Sequence, residues 1–279
     1  MTLLPVMGMR FHWPEVFAPL AVVGVLGPCA VYYKNRQVDQ FVMPLTAITQ
    51  MLIFTSCFTV LMYALAAFHY PLIDAFLVKS DAFFGVYVPD IHAWSLSHPW
   101  FNRLFETIYN STFPQSVLVI LVLGFSNERI PLEKFVLQFM ICLCITVAIF
   151  LLFPALGPFH AYGYEASPSQ TRYLEHLQLL RNGEFSIVSL KHAEGLVTFP
   201  SFHTTWAVLL TMAVWHRKKL FIPIALLNVG VIAATMTTGW HYFTDVLAGI
   251  LLATFVITLT RCYPACINEK DANRDRQKP

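Results

Sequence analysis

FPSFHTTW at residues 199–206 and GWHYFTDVLAG at residues 239–249 are the two stretches that decide how this chain folds. Each string places a histidine where an apolar run suited to a membrane helix begins. In the second string, an aspartate follows the histidine by four residues. Polar side chains at the ends of membrane helices are costly, and they are usually retained for function. The strings therefore predict two helix starts and a site.

The composition is that of a polytopic membrane protein. Hydrophobic residues make up 57% of the 279 residues, and charged residues make up only 12%. A soluble globular protein carries about 25% charged residues. The net charge of +2 is too small to indicate nucleic-acid binding. We therefore expect the lipid bilayer and membrane lipids to be the partners of this chain, and we expect no nucleic acid.

The apolar runs predict an all-α fold, a helical membrane bundle of six spans, because a span needs about 20 mostly apolar residues. These runs are residues 45–68, 113–126, 135–153, 201–215, 220–238 and 244–261. Residues 16–33 are a weaker seventh candidate, which also fits an interfacial or re-entrant helix. Residues 69–112 mix apolar with charged residues and predict amphipathic helices on the outer face. Residues 154–199 form the longest polar stretch, which we expect to be a loop beside the site.

The basic residues orient the predicted bundle. Cytoplasmic loops of membrane proteins are enriched in lysine and arginine. With six spans, all but five of the 18 basic residues lie on one face of the bundle, which we assign to the cytoplasm. The HRKK string at 216–219 lies on this face. The five exceptions are Lys79, Arg103, Arg172, Arg181 and Lys191. Both histidine strings then open onto the opposite face.

His241 and Asp245 are four residues apart, which places them on one helix face, one turn from each other. An aspartate that accepts a hydrogen bond from one ring nitrogen fixes the histidine tautomer. The other nitrogen is then free as a nucleophile or base. The same spacing also suits a polar pair that only stabilises a helix start, and this string alone leaves both interpretations open.

Ser201 and His203 mark the start of the other helix. Ser201 suits the N-cap position, directly after Pro200. The free N–H groups of a helix N-terminus favour phosphate binding, and a histidine in the first turn can act as a general acid beside the bound anion. Taken alone, the string is equally typical of a capped helix with an interfacial histidine, which is the simpler interpretation.

As a pair, the two strings resemble the signature of the type 2 phosphatidic acid phosphatase superfamily. That signature has PSGH followed by SRxxxxxHxxxD. Here His203 matches the first histidine, and His241 and Asp245 match the second histidine and the aspartate. Thr235 replaces the arginine of the signature, and no upstream KxxxxxxRP element is recognisable. The missing residues are the cationic phosphate clamp of the family.

These departures resemble one branch, the inositol phosphorylceramide synthase type of lipid phosphotransferase. That branch carries FPSxH, a threonine in place of the arginine, and an HYFxD string. FPALGP at 153–158 is similar to its FP-rich string. The resemblance implies a catalytic membrane domain at 69–262. The apolar runs predict N-terminal membrane segments at 1–68, and the basic residues predict a cytosolic basic tail at 263–279.

The resemblance implies a metal-independent enzyme that needs no cofactor. His241 attacks phosphorus and forms a phosphohistidine, and Asp245 orients it. His203 protonates the leaving oxygen and then activates the acceptor. Ser201, Thr235 and an outer-face cation such as Lys191 are the candidates for substrate binding. We expect a bacterial inner membrane with the site facing the periplasm, and an endomembrane location is the alternative.

The same residues support a lipid phosphate phosphatase if the acceptor is water instead of an alcohol. The missing clamp favours the transferase. A transporter that uses buried histidine and aspartate as a proton relay is a different class, but the polar residues cluster at one face of the predicted bundle. An inactive scaffold is a third alternative, which the presence of all three catalytic residues argues against.

Overall fold

The computed structural model describes residues 10–11, 13–184, 187–188 and 195–261, and within them the side chains of residues 17–184 and 195–261. This part of the chain is almost entirely helical. Its helices are α1 (Trp13–Asn35), α2 (Asp39–Ala66), α3 (Asp74–Phe83), α4 (Val88–Ser97), α5 (Pro99–Tyr109), α6 (Thr112–Phe125), α7 (Arg129–Leu152), α8 (Pro158–Tyr162), α9 (Pro168–Arg181), α10 (Phe202–Ala213), α11 (Lys218–Thr237) and α12 (Phe243–Leu259). Strand β1 (Arg10–Phe11) pairs in parallel with β2 (Ile187–Val188).

The prediction of an all-α membrane bundle is confirmed. Four helices (α1, α2, α7 and α11) are long and apolar enough to cross a bilayer, and the pair α5 and α6, bent by 45°, is a fifth candidate. Helix α12 is apolar but has only 17 residues, and α10 has 12. Each predicted span therefore corresponds to a helix, but the two helices that follow the histidines are shorter than a full span.

Residues 16–33 lie within one continuous helix. Pro19 and Pro28 fall inside α1 without ending it, and the helix extends over 23 residues. A turn at 36–38 connects α1 to α2, and the two helices pack against each other. The weaker seventh candidate is therefore a helix of spanning length.

The segments at 69–112, which we predicted to lie on the outer face, are more tightly packed than the sequence indicates. Helix α5 has no buried residue and is amphipathic as predicted. Helices α3 and α4, however, bury the polar side chains of Asp74, Asp81 and His92. These two helices are therefore part of the folded core and not only surface helices.

Residues 154–182 form no open loop, contrary to expectation. They fold into α8 and α9, and α9 begins with a capping box between Ser167 and Gln170. Tyr173, Leu177 and Leu180 of α9 are buried in a cluster that includes Tyr63 of α2. Apolar burial of this kind holds α9 against the bundle.

Helix α10 lies at the centre of the bundle. It packs against α6, α7, α11 and α12. Leu209 and Leu210 of α10 share a buried cluster with Phe139 of α7 and Val256 of α12. The turn at 214–217 connects α10 to α11, so α10 and α12 begin at the same end of the bundle and the HRKK string lies at the other.

Candidate active site

The turn between α11 and α12 presents His241 and Asp245 to each other. Gly239 has a φ of +75°, a conformation that glycine adopts without strain. The backbone N–H of His241 then donates to the carbonyl of Thr235 at 3.1 Å. The Nδ1 atom of His241 lies 3.3 Å from Oδ2 of Asp245. The same oxygen accepts from the backbone N–H of Tyr242 at 2.9 Å, so the aspartate also caps its own helix.

This histidine–aspartate pair is almost fully enclosed. His241 is 4% exposed and Asp245 is 0% exposed. Burial lowers the pKa of His241 below the usual histidine value. The imidazole is therefore neutral at physiological pH. With Nδ1 facing Asp245, Nε2 is the ring nitrogen left for a ligand, and the ring also interacts with the backbone carbonyl of Thr198.

Ser201 caps α10 and also joins the two strings. Its Oγ accepts from the backbone N–H of Thr204 at 3.4 Å and from the Thr204 hydroxyl at 3.1 Å. Its backbone N–H donates to the carbonyl of Asp245 at 3.1 Å. This bond places the N-terminus of α10 directly beside the first turn of α12, as the paired strings predict.

Gly249 allows the close approach of the two helices. A Cβ atom at Gly249 would lie 2.5 Å from the carbonyl oxygen of Ser201 and 3.1 Å from Cβ of Thr204. The hydroxyl of Thr205 also donates to the carbonyl of Gly249 at 3.0 Å. The glycine that ends the second string is therefore required for the geometry of the site.

Tyr109, the last residue of α5, holds His203 in place. Its hydroxyl lies 3.0 Å from Nδ1 of His203, and the two rings stack with centroids 4.0 Å apart. His203 is half-buried and close enough to His241 to interact with it electrostatically. Because Tyr109 contacts Nδ1, the Nε2 atom of His203 is the one available to exchange a proton with a ligand.

The N-terminal amides of the two helices differ in their partners. In α12, the amides of Phe243 and Thr244 donate to the carboxylate of Asp81. In α10, the amides of Phe202 and His203 have no acceptor among residues 13–184 and 195–261. Of the two helix starts, α10 is therefore the one with donors available to a phosphate.

The three predicted substrate-binding residues have different positions. The hydroxyl of Ser201 is fully buried in the α10 cap. Thr235 is fully buried as well, and its hydroxyl donates to the carbonyl of Ile232 at 2.7 Å. Lys191 lies outside the described residues, as does the tail at 263–279. Substrate binding by these residues remains a prediction.

Lysine, arginine and metal ligands are not part of the described site. Within the described residues, no lysine or arginine side chain forms a hydrogen bond with His203, His241 or Asp245. No group of three histidine, cysteine, aspartate or glutamate side chains in the described ranges could hold a metal ion. The polar partners of the site are instead tyrosine, carboxylate and backbone groups.

The contact of Tyr109 with His203 was not predicted from the sequence, and neither were the contacts of the two aspartates of α3. Asp74 and Asp81 reach the turn that carries His241, although the only sequence signal was the rarity of acidic residues in an apolar chain.

Comparison with known protein families matches residues 75–259 to the PAP2 superfamily, the type 2 phosphatidic acid phosphatases. The chain belongs to this superfamily. The matched range includes His203, His241 and Asp245, and it covers more than half of the chain. Membership indicates a phosphatase or phosphotransferase that acts on lipid phosphates. Comparisons with curated proteins and with solved structures found no match.

Proposed function

We propose that this PAP2 protein is a membrane-embedded lipid phosphotransferase that works through a phosphohistidine at His241. The arrangement of two histidines carries the proposal. His241 is paired with Asp245, His203 is paired with Tyr109, and the Ser201–Asp245 backbone bond holds both pairs at one end of the bundle. Such a nucleophile with an orienting carboxylate beside a second proton-exchanging group suits covalent phosphoryl transfer.

The first step forms a P–N bond and breaks a P–O bond. The Nε2 lone pair of His241 attacks phosphorus, and the Nδ1–H bond to Asp245 stabilises the positive charge that develops on the imidazole. Protonated His203 gives the proton on its Nε2 to the oxygen of the leaving lipid alcohol and becomes neutral. In the second step, the acceptor hydroxyl gives its proton to His203, attacks phosphorus and releases His241.

The start of α10 is the proposed phosphate site. The amides of Phe202 and His203, which have no acceptor within the described residues, and the positive end of the helix dipole favour the negative oxygens. Thr235 occupies the position of the family arginine, but its buried hydroxyl is already bonded to a backbone carbonyl. Additional positive charge would therefore come from another residue, and Lys191 remains the proposed candidate.

The residue at position 235 favours a transferase over a phosphatase. Thr235 stands in place of the arginine of the family signature, and this replacement resembles the inositol phosphorylceramide synthase branch. A phosphatase with the same residues is the alternative.

The proposed location is a bacterial inner membrane, with the site on the periplasmic side. The basic turn at 216–219 lies at the end of α10 opposite to the site, which agrees with a cytoplasmic position for that turn. The proposed mechanism requires neither a metal nor another cofactor. Its substrates are membrane lipids with phosphoester head groups.

Transfer and hydrolysis can be separated with one assay. The purified protein in lipid nanodiscs is given a panel of phospholipids with ³²P in the head group, with and without a lipid alcohol. We expect a labelled product lipid that depends on the alcohol, and no such product from His241→Asn. His160→Asn, which alters an exposed histidine of α8, is the matched control and retains activity. Release of inorganic phosphate or of a water-soluble phosphorylated head group, without a labelled product lipid, would contradict the transferase.

A further inference from the structure

Helix α3 contacts the turn that carries the nucleophile through Asp74. The carboxylate of Asp74 accepts from the Tyr242 hydroxyl and from the backbone N–H groups of Leu156 and Gly157, each at 2.9 Å. Asp74 is 8% exposed and Tyr242 is fully buried. The carboxylate therefore joins the FPALGP turn at 153–158 to the residue that follows His241.

Asp81 lies two helical turns after Asp74 in α3 and binds the two residues that follow Tyr242. Its carboxylate accepts from the amides of Phe243 and Thr244 at 2.8 Å each and from the Thr244 hydroxyl at 2.7 Å. Asp81 is 0% exposed. A negative charge at this position stabilises the start of α12 by capping its free amides, and it fixes α12 relative to α3.

Three further side chains form hydrogen bonds with backbone carbonyl groups of this turn. The Nδ1 atom of His92 lies 2.9 Å from the carbonyl of Thr237, and the hydroxyl of Tyr164 donates to the carbonyl of Gly239 at 2.8 Å. The amide of Gln170 donates to the carbonyl of Thr238 at 3.3 Å. Residues 237–244 are thus bonded to α3, α4, α9 and the segment between α8 and α9.

We infer that Asp74 and Asp81 are positioning residues, which hold His241 in line for attack without touching the substrate. This inference rests on the proposed function of His241 as the nucleophile. The oxygens of both carboxylates accept hydrogen bonds from protein groups of this turn, and those of Asp74 also accept from the amides of Leu156 and Gly157. Both residues lie close enough to Asp245 to act on it electrostatically. The outer-face helix α3 is then a part of the catalytic framework and not a cover over the site.

Asparagine at either position tests this role. Asparagine has one acceptor oxygen, and its NH₂ group would face backbone N–H donors that the carboxylate now accepts. The turn would therefore shift. A displacement near 1 Å costs on the order of 10²-fold in rate, so we expect that loss in kcat for Asp81→Asn, with KM within about twofold of the wild type. Tyr242→Phe removes only the bond to Asp74, and we expect a loss of about tenfold.

The experiment combines kinetics with amide exchange in nanodiscs. Wild type, Asp74→Asn, Asp81→Asn and Tyr242→Phe are compared for kcat, KM, thermal midpoint and hydrogen exchange of the Phe243 and Thr244 amides. Gln138→Ala is the control for general loss of packing. It removes a buried 2.7 Å bond to Thr260 at the other end of the bundle, so kcat stays unchanged while the midpoint falls.

Faster exchange at Phe243 and Thr244 together with a fall in kcat at constant KM supports the positioning role. An unchanged kcat in folded Asp81→Asn and Tyr242→Phe would overturn it. So would a loss of kcat in Gln138→Ala as large as that in Tyr242→Phe. If the wild type transfers no lipid head group, the proposed function fails, and the exchange rates alone decide whether Asp81 holds the turn.

Discussion

Gly249→Ala adds a single methyl group and tests how closely α10 and α12 must approach to form the site. The new Cβ would lie 2.5 Å from the Ser201 carbonyl oxygen, while ordinary contacts begin at 3.4 Å. Because the obstacle is backbone, α10 and α12 must separate by about 0.9 Å, the difference between these distances. This movement carries His203 away from His241.

The separation has two measurable costs. A displacement of this size lowers the rate on the order of 10²-fold, because in the proposed mechanism both histidines act at the same phosphorus. Overpacking destabilises the fold by about 1–3 kcal/mol, which exceeds the ~1 kcal/mol that alanine gains over glycine in a helix. We therefore expect a large loss in kcat and a modest fall in the thermal midpoint.

The assay is alcohol-dependent transfer of a labelled head group, measured beside thermal unfolding in nanodiscs. Gly27→Ala is the matched control, because a Cβ at Gly27 in α1 would meet no atom within 4 Å. It is expected to retain wild-type kcat. A Gly249→Ala protein with wild-type kcat would refute the argument that the approach of α10 and α12 sets the distance between the histidines.

Three further predictions concern Tyr109, Glu128 and the removal of metal ions. Tyr109→Phe keeps the stacked ring but loses the hydroxyl at Nδ1 of His203, so kcat falls about tenfold, whereas Tyr109→Ala also loses the stacking and falls further; equal kcat values for these two variants would contradict this. Burial alone would raise the pKa of Glu128, but hydrogen bonds from Arg217 and His216 outweigh it and hold the pKa below its usual value. Glu128→Gln therefore lowers the free energy of unfolding at pH 7 by about 1 kcal/mol or less for this partly exposed cluster, and the thermal midpoint falls with it. The difference shrinks as the pH falls through the folded pKa, and kcat at pH 7 does not change. Chelation with EDTA leaves transfer intact, and loss of activity that a divalent metal restores would contradict a metal-independent mechanism.

The parts of the fold that the sequence predicted are those determined by local patterns. An apolar run indicates a helix, and a serine before it indicates an N-cap, so the starts of α10 and α12 could be placed from the two strings alone. Their juxtaposition followed from the intervening helical hairpin. Residues 16–33 were harder, because Pro19 and Pro28 suggested a break that the helix tolerates.

The supports of the site depend on contacts between distant residues. Tyr109 lies 94 residues before His203, and Asp81 lies 162 residues before Phe243. Neither spacing has a local signature. An acidic residue in a polar segment also gives no sign of burial until the partner amides are known. For the same reason, residues 154–182 were expected to be a loop, although α9 packs into the core.

The most direct test of the central claim is to find where phosphorus becomes attached during turnover. The protein is mixed with a head-group-labelled phospholipid without acceptor, quenched rapidly in base and digested for mass spectrometry. We expect an acid-labile phosphoryl group on His241 that disappears when the lipid alcohol is added, and no label in His241→Asn. A phosphoryl group on His203, or turnover without any labelled histidine, would contradict it.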